Sequence, residues 1–120
     1  MILNEKDIRR IVERIVAFDN PEHIYLFGSY AKGNAHEGSD VDLLIVAPST
    51  LPRLHRGKAV KAALSAFPCY FDLLFFTPQE LADEMRHAYS FISSIMASGQ
   101  MVYQKARDEP SWSKPGTPAL

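Results

Sequence analysis

FGSYAKGNAHEGSDVDLLIV, Phe27 to Val46, is the stretch on which both the fold and the chemistry turn. An apolar run ending at Phe27 stops on Gly28-Ser29, a polar loop follows, and Asp40 and Asp42 open a second apolar run, Val41 to Val46. Alternate residues of a strand share a face, so the two aspartates point the same way, about 7 Å apart at a rise of about 3.3 Å per residue. Like charges flanked by Val41, Leu43 and Leu44 are unfavourable unless a cation lies between them, and a magnesium site is the simplest explanation.

Gly28 and Ser29 supply the complementary half. Glycine at a strand exit lets the backbone approach a ligand closely, and the N–H groups of the next turn suit phosphate oxygens, to which Ser29 adds a hydroxyl donor. A phosphate cradle and a carboxylate pair near the same end of adjacent strands are what positioning a metal-bound nucleoside triphosphate requires. The stretch therefore points to nucleotidyl or phosphoryl transfer. Lys32, one turn beyond Ser29, is within reach of a phosphate, although a solvated loop lysine fits the residues equally well. Ser39, just before the acidic pair, is a further candidate nucleotide contact. His36 and Glu37 read best as exposed loop residues, because the aspartates already account for the metal.

Composition sets the bounds. The chain has 120 residues, with 13 Lys plus Arg against 14 Asp plus Glu and a net charge of -1. That length suits one domain with a real core and little surface left for a second substrate site. The charge balance does not argue for general nucleic-acid binding. A single cysteine, Cys69 between Pro68 and Tyr70, excludes a disulfide scaffold and reads as a buried structural thiol. With no signal peptide and no apolar run of transmembrane length, a cytoplasmic location without a membrane partner is expected.

Outward from the central stretch, the elements follow local signals. Asn4 caps a first helix, with Asp7 three residues on and Ile8, Ile11, Val12, Ile15 and Val16 at helical spacing. Asp19-Asn20-Pro21 ends it, and His23 to Phe27 is the first strand. A second helix is predicted over Leu51 to Phe67, with Leu54, Val60, Ala63 and Leu64 inward and Arg53, His55, Arg56, Lys58 and Lys61 as a basic, mostly solvated face. Tyr70 to Phe76 is a third strand, interrupted by Asp72. A lone carboxylate there needs a cation, a helix end or an exposed face. Thr77-Pro78-Gln79-Glu80 starts a helix predicted to run to Ser98, its apolar face drawn from Leu81, Met85, Ala88, Ile92, Ile95 and Met96, with His87 solvated. Gly99 stops it and Met101 to Gln104 forms a short last strand. The domain thus spans residues 1–106, and the proline-rich 107–120 reads as a disordered tail in which Trp112 is the one residue able to dock.

Gly28-Ser29, ten intervening residues and Asp40-Val41-Asp42 together resemble the signature of the DNA polymerase beta-like nucleotidyltransferase superfamily. Within it the chain is similar to the minimal nucleotidyltransferases, small antitoxin partners of HEPN-type toxins, from about Ile8 to the GQMVY segment ending at Tyr103. The resemblance implies an α/β (α+β) nucleotidyltransferase fold, a mixed sheet of about four strands with helices packed against it. It implies ATP as donor, Mg²⁺ with two ions in the active complex, and Asp72 as the third metal carboxylate beside Asp40 and Asp42. Gly28 and Ser29 would hold the β- and γ-phosphates. The acceptor would be a hydroxyl on a separate HEPN toxin, in a homo- or hetero-oligomer. Two departures stand out: Tyr30 and Lys32 occupy positions where many relatives carry arginine. A binding-only antitoxin and an aminoglycoside-type small-molecule transferase remain as alternatives.

Overall fold

A computed structural model describes residues 2–106 of the chain. The tail expected at 107–120, with Trp112, lies outside the described residues.

The first helix, α1 (Glu5–Phe18), begins on a full capping box in which Asn4 accepts from the Asp7 N–H and Asp7 accepts from the Asn4 N–H. Its predicted apolar face is buried at Ile8, Ile11, Val12 and Ile15. β1 (His23–Phe27) leads directly into the five-residue α2 (Gly28–Lys32), and β2 (Val41–Val46) follows the loop. Then come α3 (Lys58–Leu64), β3 (Phe71–Phe76), α4 (Pro78–Met85), α5 (Phe91–Ser98) and β4 (Gln100–Gln104).

The strands form one mixed sheet in the order β3-β2-β1-β4. β1 pairs antiparallel with β2 and with β4, whereas β2 and β3 run parallel, which requires the crossover that carries α3. Alternation along the strands builds a core on each face. Val41, Leu43, Ile45 and Phe75 meet α1 and α3 on one side, and Leu44, Val46 and Phe76 meet Ile92 and Ile95 of α5 on the other. β2 is therefore buried on both faces everywhere except near its start, where Asp42 is half-buried. No helix among the described residues is long and apolar enough to cross a membrane.

Two predicted helices are broken. The segment expected as one helix over Leu51 to Phe67 is a 3₁₀ turn at Arg53–His55 and then α3, because Gly57 turns the chain at φ 80°. A side chain at Gly57 would run into the Phe75 ring, so this glycine is required both for its backbone angle and for space. Leu54, expected inward, is 92% exposed, while Val60 and Leu64 are buried as predicted. Arg56 is not a solvated member of the basic face: its guanidinium makes two hydrogen bonds to Glu80, at 2.6 and 3.1 Å, one to the Phe75 carbonyl at 3.2 Å and one to the Leu51 carbonyl at 2.8 Å, and Arg53 approaches the same Glu80 carboxylate at 3.6 Å.

The helix expected from Thr77 to Ser98 is likewise two. α4 has the predicted capping box between Thr77 and Glu80, but it stops at Met85, and Ser90 caps a fresh helix by accepting from the Ser93 N–H at 3.0 Å. Met85 and Ala88, assigned to the apolar face, are exposed as a result. Cys69 is only partly buried, not the enclosed thiol expected, because the turn it occupies lies at the open end of β3.

Candidate active site

The site forms where β1 ends and β2 and β3 begin. Antiparallel register sets Phe27 opposite Asp42, and parallel register sets Asp42 opposite Asp72. The residue after Phe27 is therefore at the Asp42 carboxylate, and it is Gly28, at φ 71°. A Cβ at this position would collide with that carboxylate. Gly28 thus joins the loop that the sequence assigns to phosphate and the strand that it assigns to metal.

Asp42 and Asp72 point to the same face of the sheet from neighbouring strands, Asp42 half-buried and Asp72 exposed. Burial pushes the Asp42 carboxyl up to about 6, and the charges of Asp72 and Asp40, with a hydrogen bond shared with Asp72, act in the same direction. No ion pair offsets this among the described residues. The three acidic positions are not equivalent. Asp40, exposed just before β2, acts on Asp42 through its charge, and no group of three His, Cys, Asp or Glu side chains among the described residues is placed to hold a metal ion.

Those facts test the magnesium expectation. Mg²⁺ takes six oxygens and commonly only one or two of them from carboxylates, the rest from water and substrate phosphates. A facing pair of hard oxygen donors, one of them with its charged form disfavoured by burial and by neighbouring carboxylates, fits such an ion when a triphosphate completes the shell. It does not fit a cage made by the protein alone.

The other predicted contacts divide. Ser29 is half-buried in the first turn of α2, and its hydroxyl has no partner among the described residues. The turn itself lacks a side-chain cap, so its N–H groups remain available to an anion. Lys32 is exposed in the last turn and makes no ion pair among the described residues. Ser39 serves the loop instead of a ligand, since its hydroxyl accepts from the His36 N–H at 2.9 Å and closes the turn before Asp40. His36 bonds within the same loop, where it and Glu37 lie near the surface.

Sequence reasoning missed the contact between Gly28 and Asp42. It depends on strand register, and no local signal reveals which residue of β2 meets the end of β1.

These features define the class, and comparison with known proteins agrees. The chain belongs to the nucleotidyltransferase domain family, whose model matches residues 6–100. Over 51 residues it is 39% identical to the protein adenylyltransferase MntA of Shewanella oneidensis, covering 42% of this chain and 37% of MntA. Over 70 residues it is 36% identical to the putative protein adenylyltransferase MJ0141 of Methanocaldococcus jannaschii, covering 58% of this chain and 65% of that protein. Each match thus spans less than two thirds of the relative. Among solved structures, a toxin–antitoxin crystal structure with AMP-PNP matches with a TM-score of 0.56 and 25% identity, over 81% of this chain and 73% of that one.

Proposed function

We propose that this chain transfers AMP from ATP to a hydroxyl group on a partner protein, and that the partner is a HEPN-type toxin which the modification silences. The observation that carries the reading is the register that sets Asp42 against both Asp72 and Gly28. Similarity to a protein named as an adenylyltransferase, and to a toxin–antitoxin structure with an ATP analogue, supports the donor and the kind of acceptor.

Each residue then has a role. Asp42 and Asp72 hold Mg²⁺, which neutralises triphosphate charge and polarises the phosphoryl group when bound. Asp40 adds to the negative field that draws the ion in. Ser29 and the N–H groups at the start of α2 hold the β- and γ-phosphates, and Lys32 adds a mobile charge at their edge. The acceptor oxygen attacks the α-phosphorus, the bond from that phosphorus to the bridging oxygen breaks, and pyrophosphate leaves. Asp72, the exposed member of the facing pair, takes the acceptor proton. A reducing cytoplasmic setting accords with the free thiol of Cys69.

Labelled ATP tests the reaction. Label transferred from the α-position to protein supports it, and label leaving only from the γ-position overturns it. The competing reading is a contact-only antitoxin, which would need neither the Asp42–Asp72 pair nor the turn at Ser29. Co-expression with the cognate partner separates the two: a mass gain of AMP that Asp42→Ala abolishes, together with protection, is expected. Full protection by Asp42→Ala with no mass gain in wild type would leave only the contact reading.

A further inference from the structure

In the order β3-β2-β1-β4, β3 has a neighbour on one side only. The ladder bonds fix which of its backbone groups that neighbour takes. Val41 N–H donates to the Tyr70 carbonyl at 2.9 Å, and Ala47 N–H donates to the Phe76 carbonyl at 2.9 Å. Even-numbered residues of this segment therefore turn their N–H and C=O groups toward β2, and Phe71, Leu73 and Phe75 turn theirs outward. The Arg56 guanidinium, anchored on Glu80, donates to the Phe75 carbonyl and closes the far end of this edge. At the near end, no described residue bonds the N–H or C=O of Phe71 or Leu73. Those four groups bracket Asp72.

A cavity of about 410 Å³ runs beside the same open edge, lined by Lys61, Leu64, Phe67, Phe71, Asp72 and Leu73. Lys61 is exposed there and makes no ion pair among the described residues. An open strand edge is a template for another extended chain, and proteins that do not use one blunt it with charges, bulges or short strands, or cover it. Here the cover stops short of the carboxylate pair.

We propose that the acceptor enters as an extended segment that adds to β3 at Phe71 and Leu73, bringing its hydroxyl to Asp72 and an acidic neighbour to Lys61. The inference rests on the adenylyl-transfer reading and gives it a mode of acceptor recognition. Backbone groups spaced by two residues match a strand and not a helix, whose own N–H and C=O groups are already paired. Face also matters. Asp72 shares its side of the sheet with Leu74 and Phe76, whereas Leu64 and Phe67 lie on the α1 and α3 side with Lys61. An added strand alternates likewise, so the acceptor residue and its immediate neighbours face opposite sides. The segment is thereby specified as a hydroxyl-bearing residue with an acidic residue next to it, held otherwise by backbone.

The test uses the full chain, Mg²⁺, α-labelled ATP and an acetylated, amidated Thr-Glu-Tyr-Glu-Thr peptide, with single N-methyl groups walked along its amides. Label is expected in the peptide, with methylation costing about tenfold at every second amide, the effect of one lost hydrogen bond, and little at those between. Amide exchange at Phe71 and Leu73 is expected to slow about fivefold on adding peptide with an inert ATP analogue, while Asp72 and Leu74 are unmoved. Labelling without the period of two, or protection absent at Phe71 and Leu73, overturns edge docking and leaves transfer intact. Release of labelled AMP to water with no label in the peptide does the same. Protection at the edge without any attack on the α-phosphorus instead overturns the transfer reading and keeps the docking surface.

Discussion

Asp42 is held in its charged form against resistance when no cation is near. Burial, followed by the Asp72 and Asp40 charges, raises its carboxyl from an ordinary 3.8 to about 6. A group whose folded value is raised binds its proton more tightly in the folded chain, so metal-free stability falls as pH rises from about 4 to about 6 and stays low above that. Asp42→Asn removes the penalty. We expect the variant to gain on the order of 1–2 kcal/mol at pH 7 to 8 without metal, a figure discounted for partial exposure, and to lose transferase activity. Thermal melts in chelator across pH 4 to 8 check this: parallel curves for wild type and variant would remove the electrostatic account. The acidic pair itself was legible from Asp40-Val41-Asp42, and Asp72 from its isolation among apolar residues. What was not legible was rank, because register and depth leave Asp42 facing Asp72 and Asp40 outside the facing pair.

At the level of elements, the end of β3 is held by a clasp. Arg56 bonds Glu80 and the Phe75 carbonyl, tying the segment before α3 to β3 and to the first turn of α4. The Arg56 hydrogen bond, with help from the Thr77 N–H, brings the Glu80 carboxyl from 4.5 down to about 2. Stability from a lowered carboxylate is present above its unfolded value and lost as pH falls through the folded one, here between about 4.5 and 2. Arg56→Met should cost about 1–3 kcal/mol at pH 7, through lost charged hydrogen bonds and an unpaired carbonyl. Urea titrations at pH 7 and pH 3 should show the wild-type advantage shrinking at the lower value; an advantage independent of pH would assign it to packing. Local chemistry announced where elements begin, as at Asn4 and Thr77, better than where they stop. Leu81, Met85, Ala88, Ile92 and Ile95 keep helical spacing straight through the break after Met85, so periodicity alone joins two helices that Ser90 separates. Gly57 posed the same difficulty, since the Phe75 ring that leaves no space for a side chain there is distant in sequence.

On the scale of the whole molecule, apolar layers on both faces of the sheet carry the stability while the site hangs on strand ends at its rim. The two can therefore be disturbed separately. Ile11→Ala, at a fully buried position of α1, should destabilise the fold by about 2–5 kcal/mol and leave the magnesium affinity of the folded chain unchanged. Chemical denaturation beside calorimetric metal titration checks this, and a matching loss of affinity would mean that site and core are one unit. The architecture as a class was readable because one stretch, Phe27 to Val46, contains two strands and the turn between them, whereas the open flank of β3 required the assembled sheet. An unrelieved charge at Asp42 also gives natural selection a slope to hold against. Random drift that neutralises it yields a sturdier molecule of the same shape, so descendants of such a protein would shed their catalysis more readily than their form, and inert look-alikes should accumulate wherever the chemistry ceases to matter.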